Sequence, residues 1–152
     1  MKLTSFTDYS LRVLIYLGAD PERRATVGEI AEAFDIKPNH LTKVVHFLGR
    51  QGFIETLRGK GGGLMLAMAP EDIVIGRVVR QTEGADLPAE CFDPANNTCC
   101  IARICRLRGV LKRATQAFYA VLDDCTLADL VHNGRALAQV LQLGRPTGSA
   151  HA

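Results

Sequence analysis

The chain has 152 residues, 47% hydrophobic and 22% charged, which fits an ordinary folded domain and excludes a disordered or collagenous chain. Eighteen basic against sixteen acidic residues leave a net charge of only +2, too little by itself to argue for nucleic acid. No apolar run reaches the ~18 residues of a membrane span, and the first residues lack the apolar core of a signal peptide, so the expected compartment is the cytoplasm. Thiols stay reduced there, and the five cysteines need a reason other than a disulfide framework.

The small net charge hides an asymmetry. Residues 37–60 hold Lys37, Lys43, Arg50, Arg58 and Lys60 against Glu55 alone, so that stretch carries +4 and the rest of the chain −2. Such local charge is what a phosphate-backbone footprint requires; a solvated helix face is the other reading.

In chain order, Asp8–Ala19 has the period of a helix, with Leu11, Leu14, Ile15 and Gly18 on one face and Thr7 as its expected cap. Thr26-Val27-Gly28-Glu29 is a capping box that opens a short helix through Phe34, with Ile30, Ala33 and Phe34 expected inward. Pro38 suits the first turn of the next helix. There Leu41, Val44, Val45 and Leu48 form the buried stripe, and Gly52 ends it. Asn39, His40, Thr42, Lys43, His46 and Arg50 are left outward.

Two short helices joined by a tight turn, the second with a polar and basic outer face, form a helix-turn-helix. Two strand-like runs follow, Phe53–Leu57 and Leu64–Ala67, around the tip Arg58-Gly59-Lys60-Gly61-Gly62-Gly63. Together these predict a winged helix over residues 1–83, with Arg58 and Lys60 reaching phosphates or the minor groove. The glycine run is not a nucleotide loop, because strand rather than Lys-Ser/Thr and helix comes after it.

The stretch Ile73–Glu83 is expected to contain a short amphipathic helix, with Val78 and Val79 inward, and a loop is expected from Gly84 to Asn97. Loops of that length usually carry function. Ile104, Leu107, Leu111, Ala114, Phe118, Val121 and Cys125 alternate three- and four-residue steps, an a/d seam over three heptads. A helix of about 20 residues is about 30 Å long, so the seam is expected to bury against a second copy, with packing on the winged helix as the alternative. Thr126 can cap a last helix from Leu127 to about Leu143, before a flexible tail over 144–152. The expected fold class is therefore mainly α: a winged helix-turn-helix, a cysteine-rich segment at 84–105, and dimerisation and C-terminal helices at 106–143.

Cys91, Cys99, Cys100 and Cys105 lie within 15 residues, whereas Cys125 falls on the seam and reads as a small buried hydrophobe. A position at a helix N-terminus favours the thiolate, the form that binds metal. The four have no Cys-x-x-Cys pair and no nearby His, which argues against a zinc ribbon or finger. Iron–sulfur clusters tolerate wider spacing, and redox-active thiols without metal stay open as the other reading. No Ser-His-Asp set, carboxylate pair or phosphate loop indicates an enzyme.

The opening Met1-Lys2-Leu3-Thr4-Ser5-Phe6-Thr7-Asp8-Tyr9-Ser10-Leu11-Arg12 resembles that of the NsrR family of nitric-oxide-sensing repressors, in the superfamily shared with IscR. So do Asn39-His40-Leu41, the wing at 58–63, Cys105-Arg106-Leu107 and Thr126-Leu127-Ala128-Asp129-Leu130-Val131. The resemblance spans residues 1–143. IscR-like chains carry a His three residues after the last cysteine; Arg108 stands there and points to the NsrR branch.

The resemblance implies a homodimer on double-stranded DNA half-sites, with a cluster held by Cys91, Cys99 and Cys105 and by Asp8 from the partner subunit. A 4Fe-4S cluster is expected ahead of 2Fe-2S. The Cys91–Cys99 gap is longer than the family's, and Cys100 can stand in for Cys99, although the five-residue gap to Cys105 selects Cys99. The resemblance also implies that nitric oxide at the cluster releases the repressor from DNA. Asn39, His40, Thr42 and Lys43 would read bases or phosphates, with Arg58 and Lys60 on the wing. The alternative is a dimeric regulator that uses bare thiols as a redox switch.

Overall fold

Helix α1 runs over Ser5–Ala19 in the computed structural model, which describes residues 2–84 and 88–143. Its cap is Thr4, whose hydroxyl accepts the Thr7 N–H at 3.2 Å. The expected cap, Thr7, instead lies inside the first turn, buried, its hydroxyl donating to Thr82 Oγ1 at 2.8 Å. Burial also extends beyond the expected face: Ser10, Val13, Tyr16 and Leu17 join Leu14 and Gly18, while Leu11 and Ile15 are only half-buried. The cause is that α1 is the central helix, packed by α2 (Val27–Phe34), α3 (Pro38–Arg50), α4 (Ile75–Glu83), α6 (Leu127–Val131) and α7 (Gly134–Val140). One stripe cannot serve so many neighbours.

The capping box of α2 is formed on both sides. Thr26 Oγ1 accepts from the Glu29 N–H at 3.2 Å, and the Glu29 carboxylate accepts from the Thr26 N–H at 2.6 Å. Ile30 and Ala31 are buried and Ala33 is exposed, so the inward face of α2 is turned from the expected one. Asp35, in the left-handed region at φ +52°, closes the helix and turns the chain into α3. The buried stripe of α3 is Leu41, Val44, Val45 and Leu48, as the spacing predicts, and Gly52 follows its end.

Strands β1 (Ile54–Leu57) and β2 (Gly63–Leu66) pair antiparallel, with Ile54 opposite Leu66 and Leu57 opposite Gly63. Ala25, just before α2, adds a bridge to Leu64 through two backbone hydrogen bonds of 3.0 and 2.7 Å. The wing is thereby rooted in the helix-turn-helix. A 3-10 turn at Pro70–Asp72 leads to α4, which buries Ile75, Gly76, Val78 and Val79. The helix thus lies within the expected stretch, and Ile73 precedes it as a fully buried core residue.

Helix α5 is Arg106–Asp123 and buries no residue fully. The expected seam divides between two faces. Phe118 and Cys125 pack on the chain's own core. Leu107, Val110, Ala114, Ala117 and Val121, again at three- and four-residue steps, stay exposed, with Val121 at 71% and Leu107 at 60%. A strict a/d pattern straddles both faces because α5 has its own domain on one side and open space on the other. Thr126 caps α6 reciprocally with Asp129. The single helix expected over 127–143 breaks at His132–Asn133 into α6 and α7, where Asn133-Gly134 are poor helix formers. Backbone bonds from Ile75 N–H to the Cys125 carbonyl (2.9 Å) and from Leu127 N–H to the Ile73 carbonyl (2.8 Å) tie this end to the winged helix. Among the described residues no helix is long and apolar enough to cross a membrane. The tail expected at 144–152, residues 85–87 of the cysteine segment, and Met1 lie outside the described residues.

Candidate nucleic-acid interface and cysteine segment

The outer face of α3 is assembled by its own periodicity. With Leu41, Val44, Val45 and Leu48 inward, Asn39, His40, Thr42, Lys43, His46 and Arg50 are all exposed. No acidic residue occupies the first turn of α3. The Thr42 hydroxyl donates to the Pro38 carbonyl at 3.0 Å, which leaves its oxygen facing outward as an acceptor. His40 stacks on Tyr9 of α1, with ring centroids 6.3 Å apart and planes at 22°. The first turn of α1 therefore braces the N-terminal end of α3.

Arg58 and Lys60 are exposed at the tip between the strands. Gly59 and Gly61 have φ of +94° and +80°, a conformation that costs glycine least, so the tip turns sharply without side chains in the way. The Arg24 guanidinium donates to the Gly61 carbonyl at 2.7 Å and fixes the tip from below. Sequence reasoning missed Arg24. Its role depends on the Ala25–Leu64 bridge, a long-range pairing with no local signature.

Asp8 lies in the first turn of α1, ion-paired with Arg12 at 2.9 Å, both side chains partly exposed. Any other ligand for Asp8 competes with that guanidinium.

Cys91 is half-buried in a 3-10 turn at Glu90–Phe92, Cys99 and Cys100 are exposed, and Cys105 is the half-buried N-cap of α5; all are free thiols. Glu90, beside Cys91, accepts from the Thr98 N–H at 2.5 Å and the Thr98 hydroxyl at 2.6 Å, beside Cys99. These bonds hold the Glu90 carboxyl below its usual range. They close the loop so that the chain at Cys99 is held against the chain at Cys91. Cys105 makes no side-chain capping bond, and the first turn of α5 carries Arg106 and Arg108 and no acid. At Cys125, burial pushes the thiol up and Asp129 adds to the effect, which favours the protonated form.

Among the described residues no three His, Cys, Asp or Glu side chains gather as a metal site, so Cys91, Cys99 and Cys105 are near in sequence but not assembled. The donor chemistry nonetheless fits a thiolate-bound group: three free thiols on one segment, one at an uncapped helix start. Sites of this kind are rarely preformed, because the bonds to the metal supply the energy that draws the ligands together.

A family model, Rrf2, described as an iron-dependent transcriptional regulator, matches residues 3–133. The chain belongs to the Rrf2 family. Among curated Rrf2 relatives, the HTH-type transcriptional regulator NsrR of Bacillus subtilis (strain 168) is 50% identical over 144 residues, 94% of this chain and 99% of that one. The regulator of the same name from Halalkalibacterium halodurans is 48% identical with the same coverage. Among solved structures, B. subtilis CymR, titled a global cysteine regulator, superposes with a TM-score of 0.70 at 26% identity, covering 88% of this chain and 98% of that one. T. potens IscR gives a TM-score of 0.72 at 24% identity, covers 90% of each chain and supports the fold. This Rrf2 chain is thus a transcriptional regulator of NsrR type with a winged-helix fold.

Proposed function

We propose that this Rrf2 regulator is a cytoplasmic, homodimeric repressor that binds DNA in an iron–sulfur-dependent way and lets it go on exposure to nitric oxide. What carries the reading is its 50% identity, across nearly its whole length, to a regulator named NsrR, together with the free thiols of Cys91, Cys99 and Cys105 on one segment.

Asn39, His40, Thr42 and Lys43 on α3 enter the major groove, and Arg58 and Lys60 on the wing meet phosphates and the flanking minor groove. The exposed stripe Leu107, Val110, Ala114, Ala117 and Val121 packs on its copy and sets the spacing of two half-sites. Cys91, Cys99 and Cys105 hold the cluster, 4Fe-4S ahead of 2Fe-2S, with Asp8 of the partner subunit as the remaining ligand. The Glu90–Thr98 clamp supports Cys99 over its neighbour Cys100. When bound, the cluster supplies the iron at which nitric oxide reacts.

The chain's own part is transmission. Asp8 and Tyr9 are neighbours on α1, and Tyr9 stacks on His40. With Asp8 engaged across the dimer, the first turn of α1 is held, and so is the end of α3 that faces DNA. With Asp8 returned to Arg12, that turn is free to shift and the recognition helices lose their register.

The exposed, vicinal Cys99 and Cys100 favour one other reading, a thiol switch without metal. Native mass spectrometry of anaerobically purified protein, before and after nitric oxide, separates the two. A dimer heavier than its chains by iron and sulfide, with nitric oxide adducts after exposure, is expected. A dimer that takes up no iron or sulfide on reconstitution would overturn the cluster and favour the thiol switch.

A further inference from the structure

A cavity of about 410 Å³ opens between α4, α5 and the turn at 88–92, away from the DNA-facing surface of α3. Pro88, Phe92 and Tyr119 form its apolar walls, and Lys112, Thr115 and Gln116 line it from α5. Its size is within the range of small-molecule sites, which pair apolar walls with a few polar groups.

The charges at the cavity are unequal. Arg80 and Asp123 satisfy each other through two hydrogen bonds of 2.5 and 2.6 Å. Lys112 has no ion pair among the described residues. Among the described residues Lys112 is thus a positive charge without a counter-ion beside aromatic walls, and the Arg108 guanidinium lies 5.6 Å from the centre of the Phe92 ring. The Thr115 hydroxyl gives its proton to the Leu111 carbonyl at 3.1 Å, and the Gln116 amide has no partner among the described residues. Gln116 can thus donate to an anion alongside Lys112.

On α5 the cavity and the exposed apolar stripe face opposite ways. At 100° per residue, Lys112, Gln116, Tyr119 and Asp123 lie on the side of α5 opposite Leu107, Val110, Ala114, Ala117 and Val121. A copy packed on the exposed stripe would leave the cavity uncovered.

We infer that this cavity binds a small organic anion, an aromatic carboxylate, with its ring against the parts of Phe92 and Tyr119 that the Arg108 and Arg80 guanidiniums leave uncovered and its carboxylate on Lys112 and Gln116. The occupant bridges α5 and the turn that carries Cys91, so it would settle Phe92 and the cysteine beside it.

The test uses 1-naphthoate and its uncharged analogue 1-naphthamide, titrated into the full chain and followed by the ring resonances of Phe92 and Tyr119. Saturable shifts with 1-naphthoate are expected, with 1-naphthamide about tenfold weaker, as for loss of a charge-assisted hydrogen bond. Lys112→Met, at an exposed position, should abolish that preference, and Ala120→Phe should block both probes by filling the cavity. Absence of saturable shifts overturns the site. Equal binding of the two probes, or an unchanged preference in Lys112→Met, overturns the anion assignment. Neither result measures DNA binding or uptake of iron and sulfide, so the proposal and the regulatory reading fail separately.

Discussion

Arg80 of α4 grips Asp123 of α5 with both ends of its guanidinium, at 2.5 and 2.6 Å, and the same group lies 4.3 Å above the Tyr119 ring. Among the described residues this ion pair joins the winged helix to the long helix. The hydrogen bonds from Arg80 hold the Asp123 carboxyl below its usual range, against a smaller opposing effect of burial. A lowered folded value means stability that is present above the ordinary aspartate range, near about pH 3.9, and lost as pH falls through the folded value. Asp123→Asn should therefore lower the urea midpoint at pH 7, and the gap to the natural protein should close on acidification below about pH 4. Both side chains are nearly half exposed, so the effect should be modest and shrink in salt. A gap that does not change with pH would remove the charge from this account.

Gly76 makes the same junction intolerant of side chains. A Cβ there would run into the Asp123 carboxylate and come within 3.0 Å of the Asp123 backbone nitrogen. Gly76→Ala should cost roughly 1–3 kcal/mol in chemical unfolding, as overpacking does. Gly109, inside α5 with nothing within 4 Å of its would-be Cβ, gives the opposite sign: Gly109→Ala should stabilise by about 0.5–1 kcal/mol. Equal responses at the two sites would mean that helix propensity alone decides both.

The sequence was most legible where structure is local and periodic. The buried stripe of α3, the Thr26–Glu29 box, the Thr126 cap and the glycine-rich wing tip all follow from spacing within one turn or hairpin. It was least legible where another element decides. Thr4 rather than Thr7 caps α1 because Thr7 is drawn to Thr82, far along the chain. The a/d pattern of α5 could not show that Phe118 turns to its own core while Val110 and Ala117 turn out. The four clustered thiols were visible, but spacing could not show that a Glu90–Thr98 clamp closes their loop.

The wing tip should contribute charge rather than sequence recognition. Lys60 is exposed beside Gly59 and Gly61, where the backbone can approach a phosphate closely. Lys60→Ala should weaken binding about equally on all DNA sequences and lower the salt slope of log K by about 1. An unchanged slope in a titration over salt concentration would take the wing out of the phosphate footprint.

Tyr9 should behave differently, because it acts on the outer face of α3 only through the His40 ring and carries no charge of its own. Removing one ring of a stacked pair costs roughly 0.5–1.5 kcal/mol, or about a two- to tenfold change in an equilibrium. Tyr9→Ala should therefore weaken DNA binding by about that factor while leaving the salt slope as it is, since no phosphate contact is lost. Tyr9→Phe keeps the stack and should bind nearly as the natural protein does. A salt slope that falls in Tyr9→Ala would show that α1 itself contacts the backbone.

The vicinal thiols give the sharpest discrimination. Thr98 is held to Glu90 by two hydrogen bonds, so the chain just before Cys99 is fixed against the chain just before Cys91, whereas Cys100 lies one residue further on. A ligand set of Cys91, Cys99 and Cys105 then needs less rearrangement than one with Cys100. After anaerobic reconstitution, Cys99→Ser should lose iron and sulfide, and Cys100→Ser should retain both. Asp8→Ala should also retain them but change their visible absorption or their rate of reaction with nitric oxide, because three thiolates remain and only the carboxylate is gone. Retention in Cys99→Ser with loss in Cys100→Ser would reverse the assignment and show that the clamp opens when the ligands assemble. Retention in both, with Asp8→Ala indistinguishable from the natural protein, would leave neither the middle thiol nor the cross-subunit carboxylate in the site.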